Sequence, residues 1–297
     1  MSLGATMWVL LSAGLHVAWN SLVKTSANPV IFLGLKGLFL MLVAALVVPL
    51  IGLSGLGTDA WLAIGASGIL HALYALSLAR AYERGDISFV YPIARSAPAF
   101  VPLVAWGVLG EDLTLAGAGG IALVVGGVLL LQIRDGGLSW ATVVRSLGRP
   151  DGRWALATLA CVVCYSLVDK AGMVTLANSR AYPPVVRAPL YFLLENAIAY
   201  TLYLGLLVWW RPPDALSVCR GHWRSALASA VMTMASYSLI LHVMQTEPVS
   251  YIVAVRQCSV VLAVVFGWLR LREPQGPGRV FLSGLIAAGV AIVVCFG

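Results

Sequence analysis

Long apolar stretches recur along the whole chain, and short polar segments separate them. Most stretches are about 20 residues long, which is the length that a helix needs to cross the hydrocarbon core of a bilayer. The bilayer interior offers no hydrogen-bond partners, so uninterrupted apolar runs of this length favour helices over open strands. The pattern predicts ten membrane-spanning helices at about residues 3–24, 29–51, 60–81, 87–109, 114–133, 154–175, 185–210, 224–245, 249–269 and 279–296.

The composition supports this interpretation. Of the 297 residues, 60% are hydrophobic and 10% are charged, with a mean hydropathy of +0.92, whereas soluble domains are about 25% charged. The ten spans use most of the chain, which leaves no room for a soluble catalytic or nucleic-acid-binding domain. We therefore predict an all-α integral membrane protein of the bacterial inner membrane, a monomer in the lipid bilayer that needs no cofactor.

The two halves of the chain repeat one another. Ser88 and Glu111 are 23 residues apart, as are Ser250 and Glu273, and each pair brackets one span. Between the halves lies a connector, residues 134–153, which contains Gly, Pro and four arginines and is typical of a boundary between structural units.

The connector separates a first five-span repeat, residues 1–133, from a second, residues 154–297. A repeat with an odd number of crossings must place its second copy upside down in the membrane. Inverted repeats with a substrate site at their interface are a known plan of secondary transporters. The sequence therefore predicts ten transmembrane helices in two inverted five-helix repeats.

Lys and Arg residues collect in one set of loops. Thirteen of the 19 follow odd-numbered spans, two (Arg180 and Arg187) follow even-numbered spans, and the other four lie within or at the edges of spans. Because cytoplasmic loops carry the excess of Lys and Arg, both termini are predicted to lie outside. The net charge of +7 is then a topology signal and implies no anionic partner.

Three segments resemble the EamA-type members of the drug/metabolite transporter superfamily: 16-HVAWNSLVK-24, 71-HALYALSLARAYERGDISFVYPIAR-95 and 111-EDLTLAGAGGIALVVGG-127. The residue patterns in these segments are most similar to those of a subgroup associated with phosphonate-utilisation loci. The resemblance extends over both halves, and it implies ten helices, a substrate site between the halves and metabolite export. The chain departs from the family in one respect, since family members are usually drawn with both termini in the cytoplasm.

Polar residues within the spans are the candidates for transport chemistry, because such side chains must face protein or a wet cavity. His16 and Asn20 are four residues apart and share one helical face, where they would bind substrate or, in the case of Asn20, bond a neighbouring helix. His71 and Tyr74 in the third span and Tyr237 in the matching span would add aromatic and hydrogen-bonding walls, or would be core residues.

Arg95 is the strongest candidate for binding an anion. It lies about nine residues into its span, roughly 13 Å along a helix, which is too deep for easy contact with the headgroups. Together with Tyr91 it would bind a carboxylate, phosphate or phosphonate. The alternative is a structural counter-ion for Glu195 or Asp169. Arg256, its counterpart in the second half, would join it or hold the other conformation through an ion pair.

The interior acids have two interpretations. Glu195 lies about ten residues into the seventh span, where a carboxyl group that gains and loses a proton would couple transport to proton antiport. It would otherwise pair with a basic residue such as Lys36, Arg187 or Arg95. Asp169, which precedes Lys170, is interpreted first as half of a local ion pair.

Other polar positions are interpreted as structural. Glu111 and Glu273 lie at junctions between spans and are predicted to cap helices, since a helix N-terminus favours a carboxylate. Cys161 and Cys164 form a C-x-x-C inside a span without partner ligands at zinc-site spacing, so they are predicted to be packing residues and no metal site is expected.

These features predict a secondary active transporter and not an enzyme. It would export a small polar or anionic metabolite, such as an amino acid, an organic acid or a phosphonate, with the proton as a possible coupling ion. The alternative is a proton-coupled exporter of cationic drugs or amines, which the excess of interior positive charge disfavours.

The arginine distribution generates a topology prediction. A phosphatase reporter, active only outside the cytoplasm, should be active when fused after Gly297. The same reporter inserted in the connector at 134–153 should be inactive. Activity of a strictly cytoplasmic reporter at Gly297 would contradict the predicted orientation.

Overall fold

The computed structural model describes residues 1–84, 93, 96–134, 150–210, 215–262, 264 and 277–297. This part of the chain contains ten α-helices and no β-strand. The helices are α1 (Leu3–Lys24), α2 (Pro29–Ile51), α3 (Thr58–Arg84), α4 (Ala97–Leu109), α5 (Leu115–Arg134), α6 (Pro150–Ser179), α7 (Pro184–Trp210), α8 (Ala215–Met244), α9 (Val249–Arg256) and α10 (Pro277–Phe296).

The observed helices confirm the all-α membrane fold. Within the described ranges, seven helices are long and apolar enough to cross a bilayer. One helix begins well before its predicted start: α8 begins at Ala215, nine residues earlier than expected. Its first turns carry Arg220 and His222, which lower the local hydropathy but do not break a helix. Tyr91 and Arg95 lie outside the described residues.

The distribution of polar groups suits a lipid environment. Large apolar side chains point outward, and Trp106, for example, is 68% exposed. Lys36, Asp169 and Glu195 are instead buried. This arrangement is expected where the surrounding solvent is hydrocarbon, because charged groups then face the protein interior.

The chain forms two compact units. The first unit comprises Met1–Gly14, Ser77–Leu167 and Glu247–Gly297, and the second comprises Leu15–Leu76 and Val168–Thr246. Each unit takes segments from both halves of the sequence. The division into two repeats at the connector therefore stays a prediction.

In the first unit, α5 and α10 make a close contact at two glycines. A Cβ atom on Gly120 would lie 2.8 Å from the carbonyl oxygen of Gly289, and one on Gly289 would lie 2.7 Å from that of Gly120. Small residues of this kind let helix backbones approach closely where no hydrophobic effect drives them together.

Glu111, also in the first unit, caps a helix as predicted. Its carboxylate accepts hydrogen bonds from the backbone N–H groups of Val249 (2.6 Å) and Ser250 (3.2 Å) and from the Ser250 hydroxyl (2.6 Å). These groups begin α9, where the free N–H groups and the helix dipole favour a negative charge. Glu273 lies outside the described residues.

The glycine contact generates a stability prediction. Gly120→Ala should lower the thermal midpoint of the purified protein in detergent, because the new Cβ atom must displace a backbone carbonyl. Gly119→Ala is the matched control, since a Cβ atom there meets nothing within 4 Å and alanine favours a helix over glycine by about 1 kcal/mol. Equal midpoints for the two variants would contradict the close contact.

Candidate functional site

Two carboxyl groups lie at the centre of the second unit. Asp169 on α6 and Glu195 on α7 both have side chains in fully buried residues. Around them α2, α7 and α8 pack against one another. Isolated carboxylates are costly in such a place, so their partners decide what the site can do.

The hydroxyl group of Ser67, on α3, lies between the two carboxyl groups. Its Oγ is 2.5 Å from Asp169 Oδ1 and 2.6 Å from Glu195 Oε2. The neighbouring Gly68 permits this approach, because a Cβ atom there would lie 2.8 Å from the backbone oxygen of Glu195. We call Asp169, Ser67 and Glu195 the carboxyl pair with its bridging serine.

Further hydrogen-bond donors surround Asp169. The hydroxyl of Tyr237, on α8, donates to Asp169 Oδ2 at 2.5 Å, and the hydroxyl of Tyr191 donates to Oδ1 at 3.2 Å. Asn196 Nδ2 donates to Glu195 Oε1 at 3.3 Å. Four helices, α3, α6, α7 and α8, thus contribute groups to one network.

His71 adds an imidazole to this network. Its Nδ1 is 3.2 Å from Ser67 Oγ and 4.0 Å from Glu195 Oε2, and its side chain is 20% exposed. Its ring packs edge-on against that of Tyr237, with 5.6 Å between centroids. Ligand atoms of His71, Asp169 and Glu195 lie within 4.8 Å of one another. Their lone pairs are therefore close enough to bind one proton or one metal cation.

Among the described residues, the ion pairs expected for the interior acids are absent, and the expected partner Arg95 lies outside those residues. In the described residues, no Lys or Arg lies within ion-pair distance of either carboxyl group. Lys170 donates to the carbonyl of Met244, so its expected local pair with Asp169 is wrong. Adjacent helical residues point in different directions, which separates the two side chains. Arg187 bonds the Tyr182 carbonyl and the Gln245 side chain.

Lys36, on α2, places a buried amino group beside aromatic rings. Its residue is 3% exposed, and its Nζ is 3.5 Å from Thr233 Oγ1 and 4.3 Å from the centroid of the Trp19 ring. The ring of Tyr200 lies farther away, at 5.9 Å. An ammonium group has three donors, so one long hydrogen bond and a cation–π contact leave it capacity to bind an anion.

The lysine and the carboxyl pair contact the same face of α8. Thr233, beside Lys36, and Tyr237, bonded to Asp169, are four residues apart and therefore one turn apart on that helix. Four residues correspond to about 6 Å of helix. Lys36 and Asp169 thus contact α8 one turn apart within the second unit.

The first span places its predicted residues near this lysine. The ring of His16 packs edge-on against that of Trp19, at 5.1 Å between centroids, and Trp19 in turn contacts Lys36. Asn20 Nδ2 donates to the carbonyl of His16, so this amide bonds its own helix.

The remaining candidates are distributed differently. Tyr74 is half-buried on α3, and Arg256 is half-buried at the last residue of α9, in the first unit. The sequence analysis did not identify Ser67 or Thr233 as site residues. Ser67 lies four residues before His71 and so shares its helical face, which is the one signal that could have indicated it.

Comparison with known proteins gives one family. The model of the EamA-like transporter family matches residues 3–133 and 152–295. One solved crystal structure of a protein aligns over 98% of this chain and 96% of its own with a TM-score of 0.73. At 16% sequence identity this similarity shows the fold alone. No curated protein matches the sequence significantly. Since the family match covers most of the sequence, the chain belongs to the EamA-like transporter family and is a multi-pass membrane transporter.

Proposed function

We propose that the protein is a secondary active transporter that exports a small metabolite with an anionic group by alternating access. The substrate classes that fit are amino acids, organic acids and phosphonates. We place the protein in the bacterial inner membrane, where it would act as a monomer and move its substrate without transforming it.

The observation that carries this proposal is the set of contacts around the buried side chain of Lys36. Within the described part of the chain, its ammonium has no carboxylate within ion-pair distance, and it contacts Thr233 and the Trp19 and Tyr200 rings. Burying a cation without a counter-ion is costly. An anionic group of the substrate would supply the missing charge.

Export of a cationic drug or amine is the second candidate. The buried carboxyl pair and the neighbouring rings of His71 and Tyr237 favour it, because acids and aromatic faces recognise cations. The hydroxyl groups of Ser67 and Tyr237 already bond Asp169, however, and the nearby Lys36 would repel a cation. The anionic class therefore fits better.

The substrate class is tested with purified protein and four probes: L-alanine, succinate, methylphosphonate and a quaternary amine. A ligand that binds the folded state raises the thermal midpoint by mass action. We expect stabilisation by at least one of the three probes that carry a carboxylate or phosphonate group and none by the amine. Stabilisation by the amine alone would favour the second candidate and contradict our proposal.

Substitution of Lys36 tests its role directly. Lys36→Met should weaken binding of the stabilising anion about tenfold to a hundredfold, because a charge-assisted hydrogen bond contributes roughly 1.5–3 kcal/mol. Arg153→Met removes an exposed positive charge and is the matched control, with unchanged affinity expected. Unchanged affinity in a folded Lys36→Met variant would reject the anion site.

A further inference from the structure

We propose that the carboxyl pair Asp169 and Glu195, bridged by Ser67, binds one exchangeable proton, and that this proton leaves the cell together with the exported anion. The coupling rests on the proposed function, whereas the proton site rests on the geometry of the second unit alone.

The number of hydrogen atoms in the bridge requires the proton. Both Ser67 contacts, at 2.5 and 2.6 Å, have the length of O–H···O hydrogen bonds. A serine hydroxyl has one hydrogen and can donate it to one carboxyl group. The second contact is a hydrogen bond only if the other carboxyl group donates to Ser67 Oγ. One of the two acids must therefore be protonated.

The surrounding donors indicate which acid holds the proton. Asp169 also accepts from the hydroxyl groups of Tyr191 and Tyr237, which stabilises it as a carboxylate. Apart from Ser67, the hydrogen-bond partner that the described residues give Glu195 is the Asn196 amide, at Oε1, which suits the carbonyl oxygen of a neutral acid. The chain of bonds then runs from the Glu195 hydroxyl to Ser67 Oγ and from the Ser67 hydroxyl to Asp169.

Within the described residues, no Lys or Arg lies within ion-pair distance of the pair to neutralise a second negative charge. The groups that face the pair are His71 from α3, Tyr191 from α7 and Tyr237 from α8, while Lys36 on α2 contacts Thr233. Two carboxylates this close in an apolar interior repel one another strongly. The geometry therefore favours one proton on the pair over two bare carboxylates.

The same charges link the proton to the anion. Lys36 contacts Thr233, which lies one turn from Tyr237 on α8. When the pair carries one negative charge, the ammonium of Lys36 remains available to an anionic substrate. When the proton leaves, the second negative charge repels that substrate. Proton and anion therefore favour each other's binding. They would be exported together down the outward gradient of the anion, which would then drive the proton, in contrast to the antiport considered for Glu195 from the sequence.

The first experiment needs no ligand. We expect the thermal midpoint of the wild-type protein in detergent to fall as the pH is raised above about 4. The unfolded chain releases the Glu195 proton near that pH whereas the folded pair keeps it, and the fall should end at the pH where the folded pair releases it. Glu195→Gln keeps the shape of a neutral acid, so it should remove most of the decrease in thermal midpoint with rising pH. Asp59→Asn, which neutralises an exposed acid on the same helix as Ser67, is the matched control and should behave as the wild type.

The second experiment measures linkage in weakly buffered solution with L-alanine, succinate and methylphosphonate as probes. Binding of the stabilising anion at alkaline pH should take up a proton from solution, and its affinity should fall by up to about tenfold per pH unit above the transition. Glu195→Gln should abolish both the uptake and the pH dependence of affinity. Asp59→Asn should preserve both.

The outcomes separate the two proposals. A pH-dependent midpoint that Glu195→Gln removes, with no anion bound, would overturn the proposed function and support the proton site. Anion binding without proton uptake, or a midpoint whose pH dependence persists in Glu195→Gln, would overturn the proton site. Stabilisation of the wild-type protein by sodium or magnesium chloride that Glu195→Gln abolishes would assign the pair to a metal cation and would also overturn it.

Discussion

One serine hydroxyl between two buried carboxyl groups is the interaction on which the second unit depends. Water and mobile counter-ions are scarce inside such a bundle, so polar groups must satisfy one another. Ser67 bonds Asp169 and Glu195, and Tyr237 adds its hydroxyl. Because these four residues come from four helices, the network fixes those helices in one arrangement. A partly satisfied network would cost more than an apolar core.

The placement of Lys36 gives this network a use beyond stability. A buried ammonium with one long hydrogen bond to Thr233 is a poor structural element but a suitable partner for an anion. Thr233 and Tyr237 lie one turn apart on α8, so an event at the carboxyl pair changes the electrostatic potential at the lysine. A coupled transporter needs this kind of link between two bound species. Each species can shift the equilibrium between two conformations only by the difference in its affinity for them.

The sequence predicted the helices well and the site only in part. Hydropathy alone predicted both ends of α2 at 29 and 51, because length and apolarity dominate membrane insertion. The EamA resemblance is confirmed. Asp169 was assigned to its chain neighbour Lys170, since a sequence shows adjacency but not the direction of side chains. Ser67 went unnoticed because serine is common in membrane helices, and only the packing of α3 against α7 at Gly68 brings its hydroxyl to Glu195.

The shared proton is the central claim, and infrared difference spectroscopy of the purified protein tests it most directly. A neutral carboxyl group has a carbonyl stretch distinct from that of a carboxylate. At neutral pH we expect this band in the wild-type protein, its loss in Glu195→Gln and its retention in Asp59→Asn. A wild-type spectrum without a neutral-acid band, or one with a band that Glu195→Gln leaves unchanged, would contradict the account.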